Sequence, residues 1–355
     1  MHLQIPCSGD KFSLVDFHSF FVLFFSLSAG TEINIGNKSP SWIHDLNDKG
    51  YAVVPNVLSS QQCDHIIDKT WEWLEALGTG IQRGDSTTWT DDRWPRNYKG
   101  IIQGYRIGHA PFVWQARTNK NVTGVFEEIW GTEELLTSFD AMGILRPEEL
   151  VEGAHDHSYW FHTDQSPKKK GLHCVQGVLN LEEVCDRDAS FACYPTSHKL
   201  HEELFQVNQR NPQSDYYQLS KKDIAWVESG KGLSHLRVVP EKGSLIVFDS
   251  RLLHCNVAAE IPRDNPRWRY VIYICMTPRA WADRDTLRAR VDAFKKRRMT
   301  SHWPHQLRLF PERAGDGPAS ELKVEMDDTV KRLVGIQDYK GKEDFDDVDE
   351  DFERQ

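Results

Sequence analysis

The stretch SYWFHTDQSPKKKGLHCVQGVLNL, residues 158–181, decides how the chain is read. It holds two runs rich in β-branched and aromatic residues, 158–162 and 172–181, separated by a turn that Pro167 marks. Such runs bounded by turn residues read as strands. The first ends in His162-Thr-Asp164. Side chains at i and i+2 of a strand point the same way, so His162 and Asp164 are expected to share one side. Outward from this stretch, similar runs occur at 136–144, 191–194, 236–239, 244–249 and 269–276, with Pro195, Gly243 and Pro266 among the turn signals. Many short strands behind a few helices predict a mainly β fold, a β-sandwich or jelly roll with flanking helices.

The helices lie upstream. The spacing predicts a short helix at 41–49 closed by Gly50, a strand at 51–54, and a helix opened by the capping box Ser59-x-x-Gln62 and ended by Gly78. A further short helix is expected at 122–130, before Gly131. The segment 79–120 reads as irregular, and its Trp89, Trp94, Tyr105 and Trp114 are read either as a pocket lining or as ordinary core. A last helix, 281–298, sets Leu287, Val291 and Phe294 on one face. Its remaining faces, Arg290 among them, are read as solvated charge, with an anion site as the alternative.

Composition narrows the function. The chain has 355 residues, 27% of them charged, and a net charge of -10. Of that charge, -7 sits in residues 343–355 alone. The near-neutral body argues against nucleic acid, which demands a basic field. Seven cysteines without a C-x-x-C argue against a disulfide framework or a zinc ribbon, and favour a reducing, cytoplasmic setting. The apolar run at 19–29 resembles the core of a signal peptide but lacks a basic lead-in, and it is too short for a stable membrane span. Three regions are expected: an N-terminal extension (1–40, targeting or disordered), a barrel domain (41–310), and a C-terminal segment (311–355) with a disordered acidic tail.

Fifteen histidines invite a search for metal ligands, yet only His162 stands in an H-x-D triplet, and chance alone supplies such a triplet in a chain of this composition. Its value comes from context. The run 244–249 and the turn after it would deliver His254 to the same barrel mouth. Two imidazoles and one carboxylate on one face leave coordination positions open, which suits Fe(II) and oxygen chemistry better than zinc. Arg267 and Arg269 share strand parity with Val271 and Tyr273, so either could face inward. A buried guanidinium with no acid beside it expects an anionic ligand, and Arg269 is nested deeper in the apolar run.

The ordered series His162-Thr-Asp164, Gly171-Leu-His-Cys-Val-Gln-Gly-Val-Leu-Asn-Leu181, Tyr194-Pro-Thr-Ser-His198, 243–254 and 269–278 resembles the phytanoyl-CoA dioxygenase family, over about residues 45 to 310. The resemblance implies a double-stranded β-helix (jelly roll, cupin-like) and an Fe(II)- and 2-oxoglutarate-dependent dioxygenase. Such an enzyme uses O2 to hydroxylate or otherwise oxidise a small-molecule substrate while 2-oxoglutarate becomes succinate. Carried across, His162, Asp164 and His254 hold iron, Arg269 grips the distal carboxylate of 2-oxoglutarate, and Gln176 reaches the cosubstrate or substrate. Halogenating members replace the metal carboxylate with a small residue, so Asp164 implies hydroxylation or a related oxidation. The chain departs from the family's pattern at Pro195-Thr-Ser-His198 and in a long polar insertion, 206–235. Two alternatives stay open: a non-catalytic binding module on the same barrel, and a cupin-like metalloenzyme that does not use 2-oxoglutarate.

The remaining motifs have plainer readings. His155-Asp156-His157 reads as a polar loop rather than a second metal site. His198 and His201 read as turn or helix-cap contacts, His173 as a satisfied core residue, and His302-Trp-Pro-His305 as packing against the barrel. Lys168-Lys-Lys170 reads as a solvated run, with attraction of an anionic substrate such as an acyl-CoA as the alternative.

Overall fold

The computed structural model describes residues 33, 35, 36, 39–151, 157–311 and 323–341. The apolar run at 19–29, His155-Asp156 and the tail 343–355 lie outside the described residues. Local chemistry builds the entry to the fold. Helix α1 (Ser41–Lys49) ends on Gly50, whose φ of 83° is the left-handed conformation a glycine adopts without strain. Strand β1 (Tyr51–Val54) follows. Helix α2 (Ser60–Ala76) opens with both halves of the capping box: the Gln62 N–H donates to Ser59 Oγ at 3.2 Å, and the Ser59 N–H donates to Gln62 Oε1 at 2.9 Å.

After strand β2 (Ile101–Ile102) the structure departs from the irregular reading of 79–120, because α3 (Pro111–Arg117) is a helix. Its Phe112, Val113, Trp114 and Ala116 are all buried, so no polar stripe betrays a helical period. Helix α4 (Lys120–Trp130) then leads to β3 (Leu135–Thr137) and β4 (Met142–Leu145). One strand was expected there. The break comes from Ser138, whose N–H donates to Cys275 O while its Oγ accepts the Cys275 N–H.

The remaining strands are β5 (His162–Thr163), β6 (Val175–Asn180), β7 (Ser190–Cys193), β8 (Tyr217–Gln218), β9 (Leu236–Val238), β10 (Leu245–Asp249), β11 (His254–Val257) and β12 (Arg269–Pro278). Three more helices lie among and after them: α5 (His201–Val207), α6 (Lys221–Ala225) and α7 (Arg284–Lys295). The seven-stranded sheet runs β1-β10-β6-β12-β4-β2, with β3 also on β12, and the five-stranded sheet runs β8-β5-β11-β7-β9. All pairings are antiparallel. From β4 to β7, and again from β10 to β12, successive strands alternate between the sheets. That alternation makes a jelly roll, a double-stranded β-helix whose two inner faces enclose a cavity. The six described cysteines carry no disulfide.

Helices α1–α4 and α7 buttress the larger sheet, joined by α8 (Asp328–Val334) from the C-terminal segment. Arg290 of α7 corrects the reading of that helix's polar face. It is fully buried and donates to the carbonyls of Thr137, Pro304, Leu333 and Val334 at 2.7–3.0 Å. It thereby satisfies the last carbonyls of α8 and ties three segments together.

Gly243, in the turn before β10, shows how tightly the sheet is packed on α2. Its φ is +79°, and a Cβ there would lie 2.1 Å from the Leu58 carbonyl oxygen. Gly243→Ala is expected to cost about 3 kcal/mol of stability, strain plus backbone clash. Gly232, at φ +69° in open space, is the control: Gly232→Ala should cost only about 1 kcal/mol, as urea denaturation of the two variants will show.

Candidate metal centre

His162 heads β5, His254 heads β11, and the two residues are direct partners across the antiparallel pair. Asp164 follows β5, and its N–H donates to Ser250 O at 2.9 Å. Ser250 belongs to the turn between β10 and β11. The same carbonyl accepts Thr163 Oγ1 at 3.0 Å, and Ser250 Oγ donates to Gln165 Oε1 at 2.8 Å. The H-x-D loop is therefore bound to the turn that delivers His254. Strand parity is not what aligns His162 with Asp164, as the run expected at 158–162 is a strand only at His162–Thr163.

His162 Nε2 lies 3.6 Å and His254 Nε2 3.3 Å from Asp164 Oδ2. One ligand atom from each residue falls within 4.8 Å of the others, and all three residues are buried. Metal–ligand bonds of about 2.1 Å at right angles would set neighbouring donors about 3 Å apart, near these separations. The ring orientation matters as much. His162 Nδ1 lies 3.1 Å from Trp160 O, and His254 Nδ1 lies 2.9 Å from Leu252 O. A carbonyl can only accept, so each Nδ1 carries the proton and each Nε2 keeps its lone pair. Trp160 stacks on His162 at 4.6 Å, while Phe248 and Phe191 wedge His254.

The electrostatics suit a donor set. Burial by itself raises the Asp164 carboxyl, but the neighbouring His302, His162 and His254 side chains hold it well below its ordinary value. Burial, with His162 alongside, pushes His254 down, toward the neutral form a metal requires. Gln176 on β6 lines the cavity and donates from Nε2 to Asp164 Oδ2 at 2.9 Å, orienting the carboxylate.

Of the two arginines weighed from sequence, Arg267 is only half-buried and lies 3.6 Å from Asp188. Arg269 is 3% exposed and meets no acid among the described residues. Its Nη2 donates to Asn256 Oδ1 at 3.0 Å, while Nη1 is buried without a partner. Asn256 Nδ2 donates to the Tyr273 hydroxyl at 2.8 Å. Asn256 lies two residues beyond His254 on β11, about 7 Å along the same face. A polar path thus runs from the candidate metal ligands to the guanidinium, with Asn256 and Tyr273 facing the cavity. Strand parity with His254 and Arg269 could have found both residues.

The cavity over the triad measures about 300 Å³. Tyr98, Ile101 of β2, Tyr216 from the 206–235 insertion, and His302 and Phe310 from the C-terminal side enclose it. The insertion, unassigned from sequence, supplies β8, which pairs with β5, and Tyr216, 5.0 Å from His162. His302 lines the cavity with a buried, unpartnered Nε2, while Trp303 packs with Cys174 and Cys275 and His305 on Thr277, as expected. Trp89 and Trp94 cluster with Trp71 and Trp268, Trp114 packs on Phe139 and Phe294, and Tyr105 meets Trp73. All four are core rather than pocket wall.

The other polar motifs find partners, though not all as expected: His173 is half-exposed, with Nε2 3.0 Å from Lys170 O, rather than core, His201 is buried on a distant carbonyl, and Lys169 is half-buried rather than solvated. His201 Nε2 meets Gln165 O at 2.7 Å, and His198 meets Asn47 O. Lys168 donates to Gln213, Lys169 to Asp215 and Gln306, and Lys170 to Glu202, and none of the three lines the cavity. No helix among the described residues is long and apolar enough to cross a membrane.

Comparison with known proteins agrees with this geometry. The family model described as phytanoyl-CoA dioxygenase matches residues 46–256. "Ava biosynthesis cluster protein O" of Aspergillus versicolor is 28% identical over 275 residues, covering 75% of this chain and 86% of that protein. A Dictyostelium discoideum protein provisionally named a phytanoyl-CoA dioxygenase is 23% identical over 265 residues, covering 64% of this chain and 73% of its own length. Among solved structures, a provisionally named oxidoreductase of Salmonella typhimurium LT2 superposes with a TM-score of 0.55 at 11% identity, over 82% of this chain and 81% of that one. That likeness speaks to the jelly roll alone.

Proposed function

The chain belongs to the phytanoyl-CoA dioxygenase family and is an Fe(II)/2-oxoglutarate-dependent oxidoreductase, and from that premise we propose that it hydroxylates or similarly oxidises a small organic molecule at the His162–Asp164–His254 centre. When bound there, ferrous iron with 2-oxoglutarate and O2 supplies the oxidation: one oxygen atom enters the substrate, and 2-oxoglutarate leaves as succinate and CO2.

The observation that carries the residue assignment is the pinned pair of imidazoles. Two backbone carbonyls hold the Nδ1 protons, so both Nε2 lone pairs converge on one carboxylate. In this reading Gln176 keeps Asp164 turned toward the metal. Arg269 receives the distal carboxylate of 2-oxoglutarate, with Asn256 and Tyr273 as neighbours in the same polar path. The unpartnered Nη1 supports this role, because a buried guanidinium donor without an acceptor is costly unless a ligand supplies one. The aromatic walls exclude water from the reacting carbon.

A compact substrate fits better than an acyl-CoA, since each lysine of the 168–170 run is already paired. The intact ligand set and the unsatisfied arginine favour an enzyme over a binding module, and favour use of 2-oxoglutarate over a cupin that dispenses with it. Metal removal tests the reading. Dialysis against EDTA should abolish succinate release from 2-oxoglutarate, and Fe(II) should restore it while Zn(II) should not. Turnover that survives chelation would rule the iron centre out.

A further inference from the structure

Asp140, between β3 and β4, is the acidic counterpart of Arg269. Its side chain is 8% exposed and lines the cavity. One oxygen accepts the Ala141 N–H at 2.7 Å. The nearest guanidinium, Arg117, donates to backbone carbonyls, those of Gly108 and of Asp140 itself, and not to the carboxylate. Among the described residues no lysine or arginine forms an ion pair with it. Burial pushes its carboxyl up to about 7, opposed by the Ala141 N–H and by Arg117, and the charge of Asp164 is also felt there. A buried carboxylate without a cation destabilises a fold unless a ligand completes it.

The walls say what kind of ligand. Tyr98 meets Trp160 edge-on at 5.5 Å, and Tyr216 leans on His162 at 5.0 Å, so aromatic rings surround the approach to the triad. Aromatic rings and a buried acid lining one cavity suit an organic cation. The arginine in the cavity lining is already answered: Arg308 contacts Asp215 at 2.6 Å.

Resting on the oxygenase reading above, we propose that the substrate is a protonated amine on an aromatic or apolar body, and that Asp140 receives its ammonium group. Held there, the ammonium anchors the molecule so that a C–H bond of its body faces the metal centre.

The test uses the Fe(II)-loaded full chain with 2-oxoglutarate and O2. Tryptamine and phenethylamine are compared with the matched acids 3-indolepropionate and 3-phenylpropionate and with the alcohol 2-phenylethanol. At least one amine should raise succinate release severalfold above the substrate-free rate, and the acids and alcohol should not. Asp140→Asn keeps the acceptor for Ala141 and so should keep the fold, as its melting curve will show. It should raise KM for that amine about 30-fold while changing kcat far less, and Asp140→Glu should recover part of the loss. The proposal is overturned if an acid or the alcohol stimulates as well as the amines, or if Asp140→Asn shifts KM by less than about threefold. It is equally overturned if no amine stimulates while iron- and 2-oxoglutarate-dependent background release persists. Absence of that background in the wild-type protein would instead bring down the oxygenase reading itself.

Discussion

Asp164→Ala should eliminate succinate formation, by about 1000-fold or more, while the protein stays folded. The reasoning starts from Oδ2, which lies within 3.6 Å of both imidazole nitrogens and accepts Gln176. Loss of a residue that merely orients a ligand costs about 10- to 100-fold in metal affinity or activity. Loss of the only anionic ligand should cost more, because two neutral imidazoles then face a dication alone. Folding should survive: Asp164's backbone N–H, which pins the loop to Ser250, is untouched, and a buried charge is removed. Fe(II) titration by calorimetry and succinate detection by mass spectrometry check the two halves separately. Full Fe(II) affinity in the alanine variant would contradict the ligand assignment.

Arg269→Gln should raise KM for 2-oxoglutarate about 100-fold, which is about 2.7 kcal/mol. Glutamine retains a donor for Asn256 but loses the charge and the planar fork that binds a carboxylate through two parallel hydrogen bonds. Lysine is no substitute, since a point charge lacks that geometry. The stabilities should part company with the kinetics. Nη1 has no protein partner to lose, so without 2-oxoglutarate the variant should melt no lower than wild type, whereas the rise in melting temperature on adding 2-oxoglutarate should vanish. A variant with normal KM would shift the cosubstrate away from Arg269, and Arg267→Gln would then be the next variant to measure.

Local chemistry made much of this legible in advance. The left-handed Gly50, the capping box at Ser59 and Gln62, and the turn at Gly243 act within a few residues, so the chain announces them. Helix α3 stayed hidden because, in seven residues with only Gln115 exposed, burial leaves no polar stripe to reveal a period. The break between β3 and β4 stayed hidden because its cause is Cys275, 137 residues away. Arg290 looked like a surface charge because its four carbonyl partners come from three separate segments.

From sequence alone, the chain declared its strand-rich class, its candidate ligand types and their order, and an inward arginine on the last strand. Those are properties of residue identity and strand parity, both local. The pairing of distant strands within each sheet, and the packing of the sheets and flanking segments on one another, decided the rest. Together they made His162 the partner of His254, aimed two lone pairs at Asp164, left Arg269 Nη1 unanswered, and set Asp140, Tyr216 and His302 around one cavity. Each of these depends on distances between segments far apart in the chain, and short-range propensity carries no record of such distances.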